Sequence, residues 1–176
     1  MLFYGASSIS TIWYEANWSA TLSMGLNFIS FLLINRAIFP KIDLKKMNFP
    51  FMISFVLMMI INGYLIYELI IMIKNMTHSS LHYILMVLST MTLFIAAFFA
   101  LLYNHKYSSK GTLVFSIFIV LIVFAEVFRA IGYYNFAYGD VAVYIARILL
   151  IIASALVVHY SMLPKKEDEA LNRRLF

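Results

Sequence analysis

Four ionisable side chains lie inside long apolar stretches of the sequence: Glu68, Glu126, Arg129 and Arg147. An ion at the centre of a membrane helix costs about 2.5 to 3.5 kcal/mol on insertion scales, so each is expected to meet a partner of opposite charge. A buried carboxylate beside an arginine stays ionised, whereas one without such a partner keeps its proton. Such a group could serve as a general acid or base, or it could carry protons. A network that only fixes helix packing is the alternative.

The spacing of these residues predicts a polar seam between the last two apolar stretches. Glu126 and Arg129 are three residues apart and therefore share one face of a helix. Arg147 lies on a stripe with Asp140 and Tyr144, which precede it by seven and three residues. Glu126 and Arg147 both lie roughly 12 to 14 Å below the outer ends of their helices, at 1.5 Å per residue. We therefore expect Glu126, Arg129 and Arg147 to meet.

A second carboxylate, Glu68, lies in an earlier apolar stretch, with Tyr64 one turn away on the same side of the helix. That stretch is expected to run outward, so Glu68 also falls in the outer half of the membrane. The sequence therefore predicts one pocket that contains all four charged residues and is open, or nearly open, to the outside. The residues expected to bind a substrate or a lipid headgroup there are Arg129, Arg147, Tyr144, Tyr64 and Asp140.

Several kinds of chemistry are excluded or disfavoured by what the sequence lacks. The chain contains no cysteine, which excludes disulfides, thiol nucleophiles and thiolate metal sites. No two of its four histidines have metal-ligand spacing, and no Gly-x-Ser-x-Gly motif is present. No lysine lies within an apolar stretch except near its ends, which argues against a Schiff base. We therefore expect neither a metal site nor a cofactor.

The composition predicts an all-α membrane protein. Apolar residues make up 64% of the 176, which leaves too little polar surface to cover a soluble domain. Five apolar runs are long enough to cross a hydrocarbon core, which needs about 20 helical residues. Helices are predicted rather than strands, because the runs are apolar all round and about twice as long as barrel strands. The five predicted spans of this polytopic transmembrane bundle are 18–39, 50–73, 80–103, 111–134 and 138–163.

The distribution of lysine and arginine predicts the orientation of the bundle. The first loop, the third loop and the tail contain ten basic residues, which are Arg36, Lys41, Lys45, Lys46, Lys106, Lys110, Lys165, Lys166, Arg173 and Arg174. Only Lys74 lies on the opposite side. Basic residues concentrate in cytoplasmic loops, so the N-terminus is expected outside and the C-terminus in the cytoplasm. Residues 1–164 would form the bundle, and residues 165–176 a charged cytoplasmic tail.

The net charge of +5 is explained by these loops and does not indicate nucleic-acid binding. The expected partners are membrane lipids, and a homo-oligomer or another membrane subunit stays open. The expected location is the cytoplasmic membrane, which is the inner membrane of a cell that has two. Residues 1–16 have no basic start typical of a signal peptide, and their aromatic residues, Phe3 and Tyr4 among them, favour an interfacial segment.

Residues 108–134 form an apolar run that contains Ala-Glu-Val-Phe-Arg-Ala at 125–130. This run resembles a span of the YhhN-like family, the lysoplasmalogenases, in which the matching motif is similar to Ser-Asp-x-x-Leu-Ala. Residues 141–160 resemble the closing helix of that family, and residues 25–39 are similar to an earlier one. The resemblance implies an eight-helix membrane protein that hydrolyses the vinyl ether bond of lysoplasmalogen lipids with membrane-embedded acidic residues. Glu126 would occupy an acidic position at which the family has aspartate.

Two classes of function stay open. As an enzyme, the protein would protonate a vinyl ether or activate water with Glu126, and Glu68 would be a second carboxylate. Arg129 or Arg147 would then stabilise charge or bind a lipid phosphate. As a binding or assembly protein without catalytic activity, it would use the same residues to fix helix packing or to recognise a lipid headgroup.

Overall fold

The computed structural model describes residues 2–10, 17–42, 49–74, 77, 79–134 and 138–163, and the chain is helical throughout its regular parts there. A 3₁₀ turn at Phe39–Lys41 extends the second helix. The helices are α1 (Leu2–Ser10), α2 (Asn17–Ile38), α3 (Phe49–Ile73), α4 (Ser80–Tyr107), α5 (Lys110–Tyr133) and α6 (Gly139–Met162). No strand is present in the ranges given. The all-α prediction is therefore confirmed.

Five of these helices are long and apolar enough to cross a membrane, as the sequence predicts. The candidate spans are Trp18–Lys41, Val56–Ile73, Ser80–Tyr107, Lys110–Tyr133 and Gly139–Met162. Helices satisfy their own backbone hydrogen bonds, which makes them suited to long apolar segments that water does not reach. The placement of the N-terminus outside stays a prediction, and the charged tail, 165–176, lies outside the described residues.

Helix α1 packs along α2, and the interfacial location of this segment stays a prediction. The hydroxyls of Ser7 and Ser23 lie 2.9 Å apart, and Ser7 also donates to the Ser23 carbonyl oxygen at 3.0 Å. The rings of Tyr4 and Phe31 have centroids 5.7 Å apart, and Phe31 lies in the second half of α2. Small serines let the two backbones approach closely, so Tyr4 is buried against α2. Trp13 and Tyr14, the other aromatics of that prediction, lie outside the described residues.

The chain divides into two compact units, Met1–Ala96 and Ala97–Phe176, and the division falls within α4. In the first unit, α2 and the first part of α4 run in the same direction. Gly25 lies beside Leu85, and further along both helices the Asn35 amide donates to the Thr92 carbonyl oxygen at 2.8 Å. Helix α3 is mostly exposed, and of its described side chains only Ile70 and Ile73 are buried.

The second unit is built on an antiparallel hairpin of α5 and α6. A β-carbon on Gly132 would lie 2.3 Å from Val143 Cγ2 and 3.1 Å from the Gly139 carbonyl oxygen, so a glycine is needed where the helices meet. At the other end, the rings of Phe115 and Tyr160 have centroids 5.9 Å apart. The helices therefore stay together along their length.

Small residues form the face of α6 that is covered. Its buried side chains are Ala142, Ala146 and Ala153, which recur at helical spacing. Alanines at such positions allow two helices to approach closely, and van der Waals contact is what drives helix association in lipid. The end of α4 also joins this unit, since Ser116 Oγ on α5 donates to the Ala100 carbonyl oxygen at 2.7 Å.

Candidate functional site

Glu126 and Arg129 form an ion pair on α5. Arg129 Nη2 donates a hydrogen bond to Glu126 Oε2, and the side chains of Arg129 and Glu126 are only 10% and 17% exposed. The pair spans three residues of one helix, as their spacing predicts. Arginine keeps its charge in proteins, so an ionised Glu126 neutralises it where water has little access. The Glu126 carboxylate is therefore held in a charge-assisted hydrogen bond and is not a free acid.

The face of α6 opposite this pair is made of small side chains. Gly132 lies against Val143 and Phe115 against Tyr160, and this register places Ala146 opposite Arg129. Ala146 is buried and leaves room for the long arginine stem beside the helix. The buried arginine is therefore accommodated by the hairpin itself.

Arg147 does not join this pair, and the predicted seam between the last two spans is wrong. The same register places Arg147 opposite Phe128, at the level expected, but its side chain is exposed. Asp140 and Tyr144 are exposed on the same side of α6. Arg147 does not face α5 because the alanine face of α6 packs more closely on α5 than a face of large polar side chains could.

The exposed stripe of α6 nevertheless brings two predicted residues together. The guanidinium of Arg147 lies over the ring of Tyr144, 5.9 Å from its centroid. This is a cation–π geometry that orients the charged group. Among the described residues Arg147 forms no ion pair. Its charge is therefore exposed on a helix face that also contains Tyr144 and, near the start of the helix, Asp140.

Glu68 and Tyr64 meet each other on α3. The Glu68 carboxylate interacts electrostatically with the Tyr64 side chain one turn away, and both residues are exposed. They belong to the first unit, whereas Glu126, Arg129 and Arg147 belong to the second. The convergence of Glu68 with the other three charged residues therefore stays a prediction.

The sequence reasoning missed a stripe of uncharged polar residues on α2. Ser19, Ser23, Asn27 and Ser30 recur at spacings of four, four and three, and all four side chains are buried. The signal was visible as polar residues at helical spacing in an apolar helix. Charged groups are the stronger signal in an apolar helix, although a buried amide is also costly.

The described part of the chain also contains an open apolar groove and gives no sign of a metal centre. The groove has a volume of about 690 Å³ and lies between α2 and α4, with Trp18 at its edge. Its lining includes none of the seven predicted site residues. No three metal-ligating side chains come together among the residues searched, and His78 lies outside them.

A scan against models of known protein families finds no match, and searches of curated proteins and of solved structures find none either. Nothing in these comparisons bears on the resemblance to YhhN-like proteins. It stays a prediction, as does the function that it implies.

Proposed function

We propose that the protein is a multi-pass integral membrane protein of the cytoplasmic membrane that binds the phosphate headgroup of a membrane lipid through Arg147. The supporting observation is the position of this arginine, exposed on a candidate membrane-spanning helix without an ion-pair partner among the described residues. In this proposal the Glu126–Arg129 pair has a structural role in the α5–α6 hairpin.

The depth of Arg147 fits a headgroup ligand. It lies eight residues after Gly139, where α6 begins, which corresponds to about 12 Å along the axis. Helical side chains lean toward the N-terminus of their helix, so the long arginine stem extends back toward that end. A guanidinium that reaches the interface in this way escapes most of the cost of burial in hydrocarbon.

The chemistry of the stripe also favours a phosphate. The planar guanidinium can donate two parallel hydrogen bonds to phosphate oxygens. Tyr144 lies against it and offers a hydroxyl one turn nearer the start of α6. In the proposed orientation this end of the helix lies at the outer surface, so the ligand would come from the outer leaflet.

Native mass spectrometry of the purified protein tests this proposal. The protein is titrated with phosphatidylglycerol, and separately with phosphatidylcholine, and the fraction of protein that keeps a lipid is measured. We expect Arg147→Gln to weaken phosphatidylglycerol binding about tenfold, or about 1.4 kcal/mol. Arg147→Lys should retain part of the affinity, since it keeps the charge and loses the bidentate geometry.

The matched control is Arg36→Gln, which removes the same charge from an exposed position in the last turn of α2. It should leave binding within twofold of that of the unaltered protein. Equal binding by the protein and its Arg147→Gln variant would refute the proposal. An equal loss in both variants would also refute it, because it would show a general effect of net charge.

Hydrolysis of a lysoplasmalogen vinyl ether is the second candidate function. It is favoured by the low exposure of the Glu126–Arg129 pair and by the family resemblance of this helix. A paired, ionised carboxylate could activate water. The initial protonation of the vinyl ether carbon would need a separate acid.

The second candidate is tested by aldehyde release from lysoplasmalogen in detergent micelles. Glu126→Gln should abolish release while Glu126→Asp retains some, and both should stay folded as judged by circular dichroism. Unaltered release in Glu126→Gln, or no release by the unaltered protein, removes catalysis from consideration without affecting the lipid-binding proposal.

A further inference from the structure

The buried polar stripe of α2 lies within the packing of the first unit. Ser19, Ser23, Asn27 and Ser30 each have an exposure of 2% or less. On the neighbouring stretch of α4, His82 and Ser89 are also buried. Asn35 continues the stripe toward the other end of α2 and is 9% exposed. From Ser19 to Asn35 the stripe covers about 24 Å of helix, most of the roughly 30 Å thickness of a hydrocarbon core.

Two side chains at the centre of this stripe have no hydrogen-bond partner among the residues that the structure describes. Neither the Nδ2 nor the Oδ1 atom of Asn27 has one, and the Ser30 hydroxyl has none. Asn35 is half satisfied, since its Nδ2 donates to Thr92 while its Oδ1 has no partner. Transferring an amide from water to a hydrocarbon without a hydrogen bond is strongly destabilising. Such groups therefore require a ligand that both donates and accepts.

The character of these groups indicates a small neutral ligand. No charged residue lies in α2 between Ser19 and Ser30, so this helix supplies no counter-charge for an ion there. Asn27 and Ser30 are three residues apart, about 4.5 Å along the axis, a separation that a single water molecule can bridge. Water donates and accepts equally well, and buried water typically forms about three hydrogen bonds to otherwise unsatisfied polar groups.

We infer that the stripe holds internal water molecules, with Asn27 and Ser30 as their central binding groups. Water between these two side chains satisfies the amide and the hydroxyl together. The Asn35 Oδ1 atom accepts a hydrogen bond from water nearer the other end of the helix. This site is separate from the Arg147 stripe and does not depend on the proposed function.

Solid-state NMR of the protein in phosphatidylcholine vesicles tests the inference. The measured quantity is the rate at which water proton magnetisation reaches individual asparagine side-chain amides. We expect transfer to the Asn27 amide to be at least threefold faster than transfer to the Asn62 amide. Asn62 is the matched comparison because it is exposed on α3, where lipid would surround it, and its Nδ2 already donates to the Met58 carbonyl oxygen at 2.8 Å.

Two variants complete the experiment. Asn27→Leu identifies the amide signal by its disappearance, and Ser30→Ala should slow transfer to the Asn27 amide at least twofold because it removes one anchor of the shared water. Transfer to Asn27 no faster than transfer to Asn62 would show that the amide is dry and would overturn the inference. Unchanged transfer in Ser30→Ala would overturn the role of Ser30. The unaltered protein supplies the first result, so the test does not depend on either variant folding.

Discussion

At the scale of single residues, the two buried charges of α5 stabilise each other unequally. Arg129 cannot lose its proton in a protein, so its charge must be neutralised by a partner. A carboxylate differs from a guanidinium in that a proton can neutralise it. The guanidinium therefore depends more on the carboxylate than the carboxylate depends on the guanidinium.

This asymmetry predicts different effects of two conservative substitutions. Glu126→Gln leaves an uncompensated arginine that is 8% exposed, and it should lower the free energy of unfolding by about 3 to 5 kcal/mol. Arg129→Gln should cost less, about 1 to 3 kcal/mol, because a carboxyl group, unlike a guanidinium, is not obliged to stay charged. Reversible unfolding in mixed detergent micelles at neutral pH measures both values.

The double variant, Glu126→Gln with Arg129→Gln, is the control for this prediction. It removes both charges and should be more stable than Glu126→Gln alone, as expected for a coupled pair. Additive effects of the two substitutions would contradict the pairing. An equal or larger cost for Arg129→Gln would contradict the asymmetry.

The sequence could predict this pair but not the position of Arg147. Glu126 and Arg129 belong to one helix turn, so their spacing alone determines that they can meet. Arg147 can meet them only if its face of α6 packs on α5. That choice depends on how closely Ala142 and Ala146 fit against the neighbouring helix, which is a property of the packed structure.

At the scale of helices, the α5–α6 hairpin depends on close approach at Gly132. Its α-hydrogen faces Val143 and the carbonyl oxygen of Gly139. Valine is branched at Cβ and restricted in rotation, so it cannot easily move away from an added methyl group. At the loop end of the hairpin, a single methyl group added at residue 132 would therefore disturb the packing of the two helices.

Gly132→Ala should destabilise the protein by about 1 to 3 kcal/mol through overpacking. Gly63→Ala on α3 is the matched control, because a β-carbon there meets nothing within 4 Å. This control should be neutral or stabilising by up to about 1 kcal/mol, since alanine favours helices over glycine. Thermal unfolding in detergent measures both, and adding Val143→Ala to Gly132→Ala should restore part of the loss. Similar effects at the two glycines would contradict the close approach.

The membrane spans could be predicted from the sequence, whereas the burial of the polar stripe of α2 could not. Length and apolar composition are properties of the sequence, and helices α2 to α6 follow them within a few residues. Asn27 and Ser30 look tolerable in a sequence, since an isolated polar residue can face water or a neighbour. Only the packed structure shows that both are buried without partners.

At the scale of the whole molecule, the odd number of spans and the charge asymmetry support one orientation. Three candidate spans, α4 to α6, separate the second loop from the tail. The loop contains one basic residue, Lys74, whereas the tail contains four of them. Because basic segments are retained in the cytoplasm, the loop and the tail should lie on opposite sides of the membrane.

The absence of cysteine makes this orientation directly testable, because a single introduced cysteine is the only thiol of the chain. Met76→Cys in the second loop should react with a membrane-impermeant maleimide added to intact cells, or to intact spheroplasts if the cell has an outer membrane. Leu171→Cys in the tail should react only after permeabilisation. Both proteins are denatured and labelled afterwards, which controls for the amount present. The reverse pattern would invert the bundle and place Arg147 nearer the cytoplasmic leaflet, whereas labelling of both positions from outside would contradict three crossings between them.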